Sequence, residues 1–71
     1  CHCGLCRRLS GAAFTTWVSL PDAGSRIEGG ARLRRYAATP NVERHFCAHC
    51  GTHLFTRDRR YPGVLGVPAG V

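Results

Sequence analysis

The longest clear pattern in the chain is a strict alternation of side chains over residues 12–20. This alternation places Phe14, Val18 and Leu20 on one face and Trp17 on the other. A side-chain period of two is typical of a β-strand that exposes one face and packs the other. We therefore predict a strand at residues 12–20, with Phe14 and Trp17 contributing to the core.

Shorter apolar segments and turn-forming residues follow this strand. Strands are predicted at residues 33–37 and 64–67, and clusters containing Pro, Asp or Gly separate the segments at residues 21–24, 28–30 and 61–63. Only residues 7–11 suggest a helical turn, which Gly11 would close. Because short strands with frequent turns are typical of antiparallel sheets, the predicted fold class is all-β.

Length and composition limit what such a sheet can do. The chain has 71 residues, enough for one small hydrophobic core. It contains no Met and begins with Cys1, so we expect it to be cut from a longer protein. No apolar run approaches the roughly 20 residues that a membrane span requires, and no signal-peptide pattern is visible. We therefore expect no membrane association.

The charge of the chain is strongly positive. Ten arginines, with no lysine, oppose four acidic residues and give a formal net charge of +6. Such a charge favours anionic partners in general. The arginines are scattered and never form a block of five, so nucleic acid is not the expected partner.

The spacing of the five cysteines indicates metal binding rather than disulfides. Their number is odd, and they occur in two close groups, residues 1–6 and residues 47–50. Disulfides within such groups would close short loops and constrain little of the chain. Thiolates bound to zinc in a reducing compartment are the better interpretation, so the predicted location is cytoplasmic.

The second cysteine group is a zinc knuckle by its sequence. Cys47 and Cys50 are separated by two residues, and Gly51 permits the tight backbone turn beneath the two sulfurs. His49 and His53 stand beside the pair and could add ligands. The pattern predicts that Cys47 and Cys50 bind one zinc ion.

The first cysteine group offers three thiolates. Cys1 and Cys3 point to the same side of an extended segment, and a turn at Gly4 can bring Cys6 to the same metal ion. Three protein ligands leave the fourth tetrahedral position open, which is characteristic of a catalytic zinc site.

A single closed zinc ribbon competes with this interpretation. Cys3 and Cys6 form one Cys-x-x-Cys pair, and Cys47 and Cys50 form another. Together they would complete a structural site with four cysteines, leaving Cys1 unused. Spacing alone favours this ribbon, and the domain would then be a non-catalytic binding module, associated with nucleic acid or chromatin.

The residues around the cysteines change this ranking. The segment CHCGLCRRLSGAAF at residues 1–14, Trp17 and the segment RHFCAHCGTHLF at residues 44–55 together resemble the glutathione-dependent formaldehyde-activating enzyme and centromere protein V family. The resemblance covers nearly the entire chain. The two cysteine motifs combined with Ser10 and Gly11 make it specific.

This resemblance implies a small antiparallel sheet of the β-tent type with two zinc ions. Cys1, Cys3 and Cys6 would hold the catalytic zinc. Cys47 and Cys50 would supply half of a structural zinc site, whose other two ligands lie upstream in the family. The resemblance also implies that residues 1–71 are one partial domain, which lacks its N-terminal part and continues beyond residues 67–70.

The activity implied by the resemblance is that of a carbon–sulfur lyase. Glutathione would add through its sulfur to formaldehyde and give S-hydroxymethylglutathione. Zinc carrying three thiolates is a weak Lewis acid that acidifies bound water poorly, which argues against a hydrolase. It can still exchange its fourth ligand for another soft thiolate. Arg7 and Arg8, with Arg44, are the candidates to hold the glutathione carboxylates.

Overall fold

Five antiparallel strands form one sheet, and a single short helix precedes them. The computed structural model describes residues 1–71. The helix is α1 (Gly4–Ser10), and the strands are β1 (Trp17–Pro21), β2 (Leu33–Ala37), β3 (Val42–Cys47), β4 (His53–Asp58) and β5 (Val64–Pro68). Their order across the sheet is β1-β5-β4-β3-β2. The prediction of an all-β antiparallel fold is confirmed.

Two of the three predicted strands match observed ones, the first was predicted too long, and the two central strands, β3 and β4, were not predicted. The strand predicted at residues 33–37 has the bounds of β2, and the strand predicted at residues 64–67 is β5 with Pro68 added. The helical turn is longer than predicted, because it begins at Gly4. Strand β1 begins only at Trp17, where pairing with Pro68 of β5 starts.

The register of the strands defines two faces of the sheet. Arg44 pairs with Thr56, and Thr56 pairs with Gly66. Directly paired residues point to the same side of an antiparallel sheet. Arg44, Thr56 and Gly66 therefore lie on one face, which we call the site face. Because Gly66 also pairs with Ser19, Trp17 two positions earlier lies on the site face too.

The opposite face carries most of the apolar core. Phe55 and Leu65 are 6% and 5% exposed. His45 pairs with Phe55 in the register and stacks on it, with ring centroids 4.3 Å apart and planes 12° from parallel. Burial lowers the pKa of the His45 imidazole, so this ring packs as a neutral, largely apolar group.

The core is small, with five buried residues in the whole chain. Two of them, Cys6 and Arg44, lie on the site face rather than in the apolar cluster. The expectation that Phe14 belongs to the core is wrong, because its side chain is 63% exposed and precedes the first paired strand residue. Trp17 is half-buried. Helix α1 lacks the length and apolar character that a membrane-spanning helix needs.

Gly66 is the point of closest packing between strands on the site face. A Cβ atom there would lie 2.8 Å from Thr56 Cγ2 and 3.6 Å from the Trp17 ring. Rotating the Thr56 side chain away would break the hydrogen bond that its hydroxyl donates to the Glu43 carbonyl (2.9 Å). The missing side chain of Gly66 therefore leaves room for the Thr56 methyl group beside β5, where the Trp17 ring also packs.

We expect Gly66→Ala to destabilise the fold by about 1–3 kcal/mol, because the added methyl group overpacks the contact with Thr56. Urea unfolding followed by circular dichroism measures the change. Gly30→Ala is the matched control, because nothing lies within 4 Å of a Cβ there and its φ is not positive. Equal midpoints for the two variants would contradict the proposed packing constraint.

Candidate metal centre

The start of helix α1 brings two of the cysteines together. Cys3 is the N-cap residue of α1, and its Sγ accepts a hydrogen bond from the Cys6 amide (3.4 Å). A thiol thus takes the place that a Ser or Asp side chain commonly fills at a helix start. The first turn of the helix therefore holds the Cys3 and Cys6 side chains close to each other.

The end of α1 is fixed by the next two residues. The Ser10 hydroxyl donates to the Cys6 carbonyl (2.8 Å), and the Gly11 amide donates to the Arg7 carbonyl (2.8 Å). Gly11 has a φ of 71°, which a glycine adopts without the strain that a side chain would bring. The Ser-Gly pair therefore terminates the helix one turn after Cys6.

Cys1 joins the cluster through backbone pairing with a distant residue. Its nitrogen donates to the Thr15 carbonyl (2.7 Å), and the Thr15 amide donates back to the Cys1 carbonyl (2.8 Å). The Sγ atoms of Cys1, Cys3 and Cys6 then all lie within 4.8 Å of one another. The predicted convergence of these three side chains is found in the structure.

The donor set fits a zinc ion. With Zn–S bonds of about 2.3 Å, sulfurs on a tetrahedral zinc lie about 3.8 Å apart, so three sulfurs this close need little movement to bind one. Cys6 is buried at 4% exposure, whereas Cys1 and Cys3 are exposed. A metal held here would rest on Cys6 and remain accessible from the side of Cys1 and Cys3.

The local hydrogen bonds favour the thiolate form of Cys3. The Cys6 amide is the main cause that lowers the pKa of the Cys3 thiol, with further contributions from the Cys6 side chain, the Leu5 amide and the charge of Arg44. A thiolate is the form of cysteine that binds metals. The fold therefore prepares this side chain for metal binding.

Arg44 is the buried cation of the site. It is 8% exposed, its Nη2 donates to Cys6 Sγ (3.3 Å), and its guanidinium carbon lies 5.0 Å from the centroid of the Trp17 ring. Trp17 also contacts His53, whose ring meets the indole edge-on with the ring centroids 5.3 Å apart. Arg44 thus connects the cysteine cluster to the sheet.

A cavity of about 550 Å³ lies beside the cysteine cluster. Its volume is within the usual range for small-molecule sites. Cys1, Cys3, Cys6, Trp17 and Arg44 form one part of its lining, and a polar part comes from Thr39, Asn41, Asp58 and Arg60. Arg60 donates two hydrogen bonds to the Asp58 carboxylate (3.0 and 2.7 Å), so its charge is paired at this wall.

Cys47 and Cys50 form a separate thiol pair at the end of β3. Gly51 has a φ of 76°, and its amide donates to the Cys47 carbonyl (2.8 Å), which closes the knuckle as the sequence predicted. Cys50 Sγ lies 3.0 Å from the Thr52 hydroxyl. Hydrogen bonds from the Thr52 hydroxyl and amide, and then from the Cys47 side chain, lower the pKa of the Cys50 thiol.

The four cysteines of the alternative ribbon do not come together. Cys1, Cys3 and Cys6 are the one group of three or more metal-ligating side chains that converge, and neither Cys47 nor Cys50 belongs to it. These two line a different cavity, beside Ile27 and Leu54. The fold thus holds the two cysteine groups as separate sites, and it does not form the closed ribbon that spacing alone favoured.

The remaining candidate residues lie outside the cysteine cluster. Arg7 and Arg8 are exposed on α1, and neither lines the cavity beside the cysteines. His49 is exposed, and His53 packs against Trp17 instead of joining a ligand group. The roles predicted for Arg7 and Arg8 stay predictions.

The sequence indicated Arg44 only as a candidate partner of the glutathione carboxylates, and its burial against Cys6 was not predicted. A signal was present, because Val42, Arg44 and Phe46 alternate along β3. A charged residue on the apolar side of a strand is expected to have a buried partner. The partner, Cys6, could not be identified from the pattern, because it is 38 residues away.

Comparisons with known proteins assign the chain to a family. A family model described as glutathione-dependent formaldehyde-activating enzyme matches residues 1–71. A Halomonas elongata protein that is named after the same enzyme is 31% identical over 71 residues, a match that covers 92% of this chain and 45% of that protein. The chain thus spans less than half the length of this curated relative. No solved structure matches the chain.

The family model covers both cysteine groups, the helix between Cys3 and Gly11, and every strand of the sheet. The chain therefore belongs to the glutathione-dependent formaldehyde-activating enzyme family.

Proposed function

We propose that the protein containing this chain is a zinc-dependent carbon–sulfur lyase that adds the thiol of glutathione to formaldehyde. The observation that carries the proposal is the convergence of Cys1, Cys3 and Cys6 at the wall of a cavity. Family membership supports the choice of thiol and aldehyde. A shared fold alone would not establish a shared reaction, so the geometry of the cysteines has to support it.

Cys1, Cys3 and Cys6 are the proposed ligands of the catalytic zinc. A zinc ion bound by three thiolates would offer its fourth position to a further soft ligand such as a substrate thiolate. Cys6 anchors the site from within the fold, while the exposure of Cys1 and Cys3 keeps the approach from the cavity open.

The proposed reaction adds the S–H group of the thiol across the C=O bond and needs no oxidant. The sulfur of glutathione attacks the formaldehyde carbon, a C–S bond forms, the C=O π bond breaks, and the thiol proton ends on the oxygen. The product is S-hydroxymethylglutathione. Holding the two reactants side by side in the cavity would provide most of the rate gain, because orientation replaces a bimolecular encounter.

The cavity wall suggests how a tripeptide thiol would be held. Trp17 offers an apolar surface close to the cysteines, and Thr39 and Asn41 offer hydroxyl and amide groups on the polar side. We retain Arg7 and Arg8 as candidate partners of the glutathione carboxylates, because both are exposed on the helix that carries Cys6.

Cys47 and Cys50 are the proposed ligands of a second, structural zinc ion. Two thiols held by a tight knuckle supply half of a tetrahedral site. We propose that the other two ligands come from a part of the protein outside residues 1–71. A reducing, cytoplasmic location would keep the five free thiols available for metal.

We expect the full-length protein containing this chain to bind two zinc ions. Replacing Cys1, Cys3 or Cys6 by Ser should remove one equivalent, because each replacement leaves only two thiolates at the catalytic site. Replacing Cys47 or Cys50 should remove the other. Elemental analysis after gel filtration measures the zinc content.

Cys1→Ser provides the sharpest control for the zinc assignment. A four-cysteine ribbon formed by Cys3, Cys6, Cys47 and Cys50 would not use Cys1. A protein that holds a single zinc, unaffected by Cys1→Ser, would overturn the two-site proposal and restore the ribbon.

We expect the zinc-loaded full-length protein to accelerate the reversible conversion of formaldehyde and glutathione into S-hydroxymethylglutathione. Exchange spectroscopy by ¹³C NMR with labelled formaldehyde measures the rate above the spontaneous reaction. Cys6→Ser should reduce the protein-dependent rate to background, because Cys6 is the buried anchor of the cluster.

Mercaptoethanol in place of glutathione is the matched substrate control for this rate measurement. It keeps the thiol and lacks the peptide groups, so it should exchange more slowly if the polar wall of the cavity holds the tripeptide. No acceleration with either thiol would contradict the proposed activity.

A further inference from the structure

Arg44 is a buried cation that has no acidic partner. All four acidic side chains form their ion pairs with other residues: Glu28 with Arg26, Glu43 with Arg35 and Arg59, Asp22 with Arg57, and Asp58 with Arg60. Arg44 forms none, and its Nε is buried without a hydrogen-bond partner. Burying an unpaired charge is costly, so the site must offer Arg44 another source of negative charge.

The cysteine cluster is the group that Arg44 contacts. Nη2 of Arg44 donates to Cys6 Sγ at 3.3 Å, the one polar side-chain contact that this guanidinium makes. Three thiolates around a divalent ion carry a net charge of −1, and Cys6 is the buried member of the cluster. The cation and the metal–thiolate group would therefore neutralise each other inside the fold.

Trp17 fixes the direction of the guanidinium. The plane of the indole lies under the Arg44 cation at 5.0 Å, a distance at which a ring face attracts a positive charge. The indole itself packs over Gly66 and is held at its edge by the His53 ring, with ring centroids 5.3 Å apart. Arg44 therefore has little freedom to leave Cys6.

We propose that Arg44 is a positioning residue of the cysteine metal centre, which orients the Cys6 thiolate and offsets the negative charge of the three sulfurs. The proposal rests on the function proposed above and adds to it, because a neutralised centre can accept a further anionic thiol at lower electrostatic cost. Hydrogen-bond partners of metal ligands fix the orientation of the ligand and tune the metal.

Cobalt(II) titration of the full-length protein containing this chain tests the role of Arg44 without thiol substrate or formaldehyde. The signal of the three-cysteine site is the part of the sulfur-to-cobalt charge-transfer absorption that Cys1→Ser removes. Arg44→Leu should weaken cobalt binding at this site on the order of 10–100-fold. The band should move to lower energy, because a thiolate that has lost an N–H donor gives up its electrons more easily.

Two further variants separate positioning from a general effect of charge. Arg44→Lys keeps the cation and a donor, and it should recover part of the affinity. Arg34→Leu removes the same charge from an exposed position on β2, where the guanidinium donates only to nearby backbone carbonyls. It should leave both affinity and band unchanged.

Several results would overturn the proposal. An unchanged band and affinity in Arg44→Leu would do so, as would an equal loss in Arg34→Leu or the absence of any Cys1-dependent cobalt signal. If circular dichroism shows that Arg44→Leu does not fold, Trp17→Leu replaces it, and an unchanged band in that variant overturns the proposal. A normal cobalt site without formaldehyde exchange would refute the proposed function alone.

Discussion

The contact between Arg44 and Cys6 is the interaction on which the site face depends. It joins the helix that carries the cysteines to the centre of the sheet, and the two side chains are among only five buried residues in the chain. An apolar core of this size supplies little stability by itself. The hydrogen bond between Arg44 and Cys6 therefore contributes to holding helix α1 against the site face of the sheet.

The sheet register explains why that contact can form. Arg44, Thr56 and Gly66 stand side by side on β3, β4 and β5. The missing side chain at Gly66 leaves room for Thr56 within this row, and Trp17 from the edge strand lies under the Arg44 guanidinium on the same face. A glycine within a strand often marks such a close approach. The paired positions on β3, β4 and β5 thus bring the Arg44 cation, the Trp17 indole and the cysteine cluster together on the site face.

Local patterns could be predicted from the sequence, and long-range contacts could not. Strand β2 has the predicted bounds because turn-forming residues flank the short segment on both sides. The first strand was predicted too long, because alternation at residues 12–16 continues although no neighbouring strand pairs there. Spacing allowed Cys1, Cys3 and Cys6 to converge, since one turn of helix suffices to bring Cys3 and Cys6 together. Spacing alone nevertheless favoured the four-cysteine ribbon, and the family resemblance was needed to prefer the three-cysteine site. The burial of Arg44 needed the sheet.

The separation of the two cysteine groups follows from the same geometry. Cys6 is held on the site face by Arg44, whereas Cys47 ends β3 and turns with Cys50 toward Ile27 and Leu54. Forming the four-cysteine ribbon would require Cys6 to leave Arg44, and the buried guanidinium would then lose its one hydrogen bond to a side chain. Leaving a buried cation without a partner is costly, and this cost opposes the closed structural site. It agrees with the proposed three-cysteine centre, which keeps one side open to the cavity.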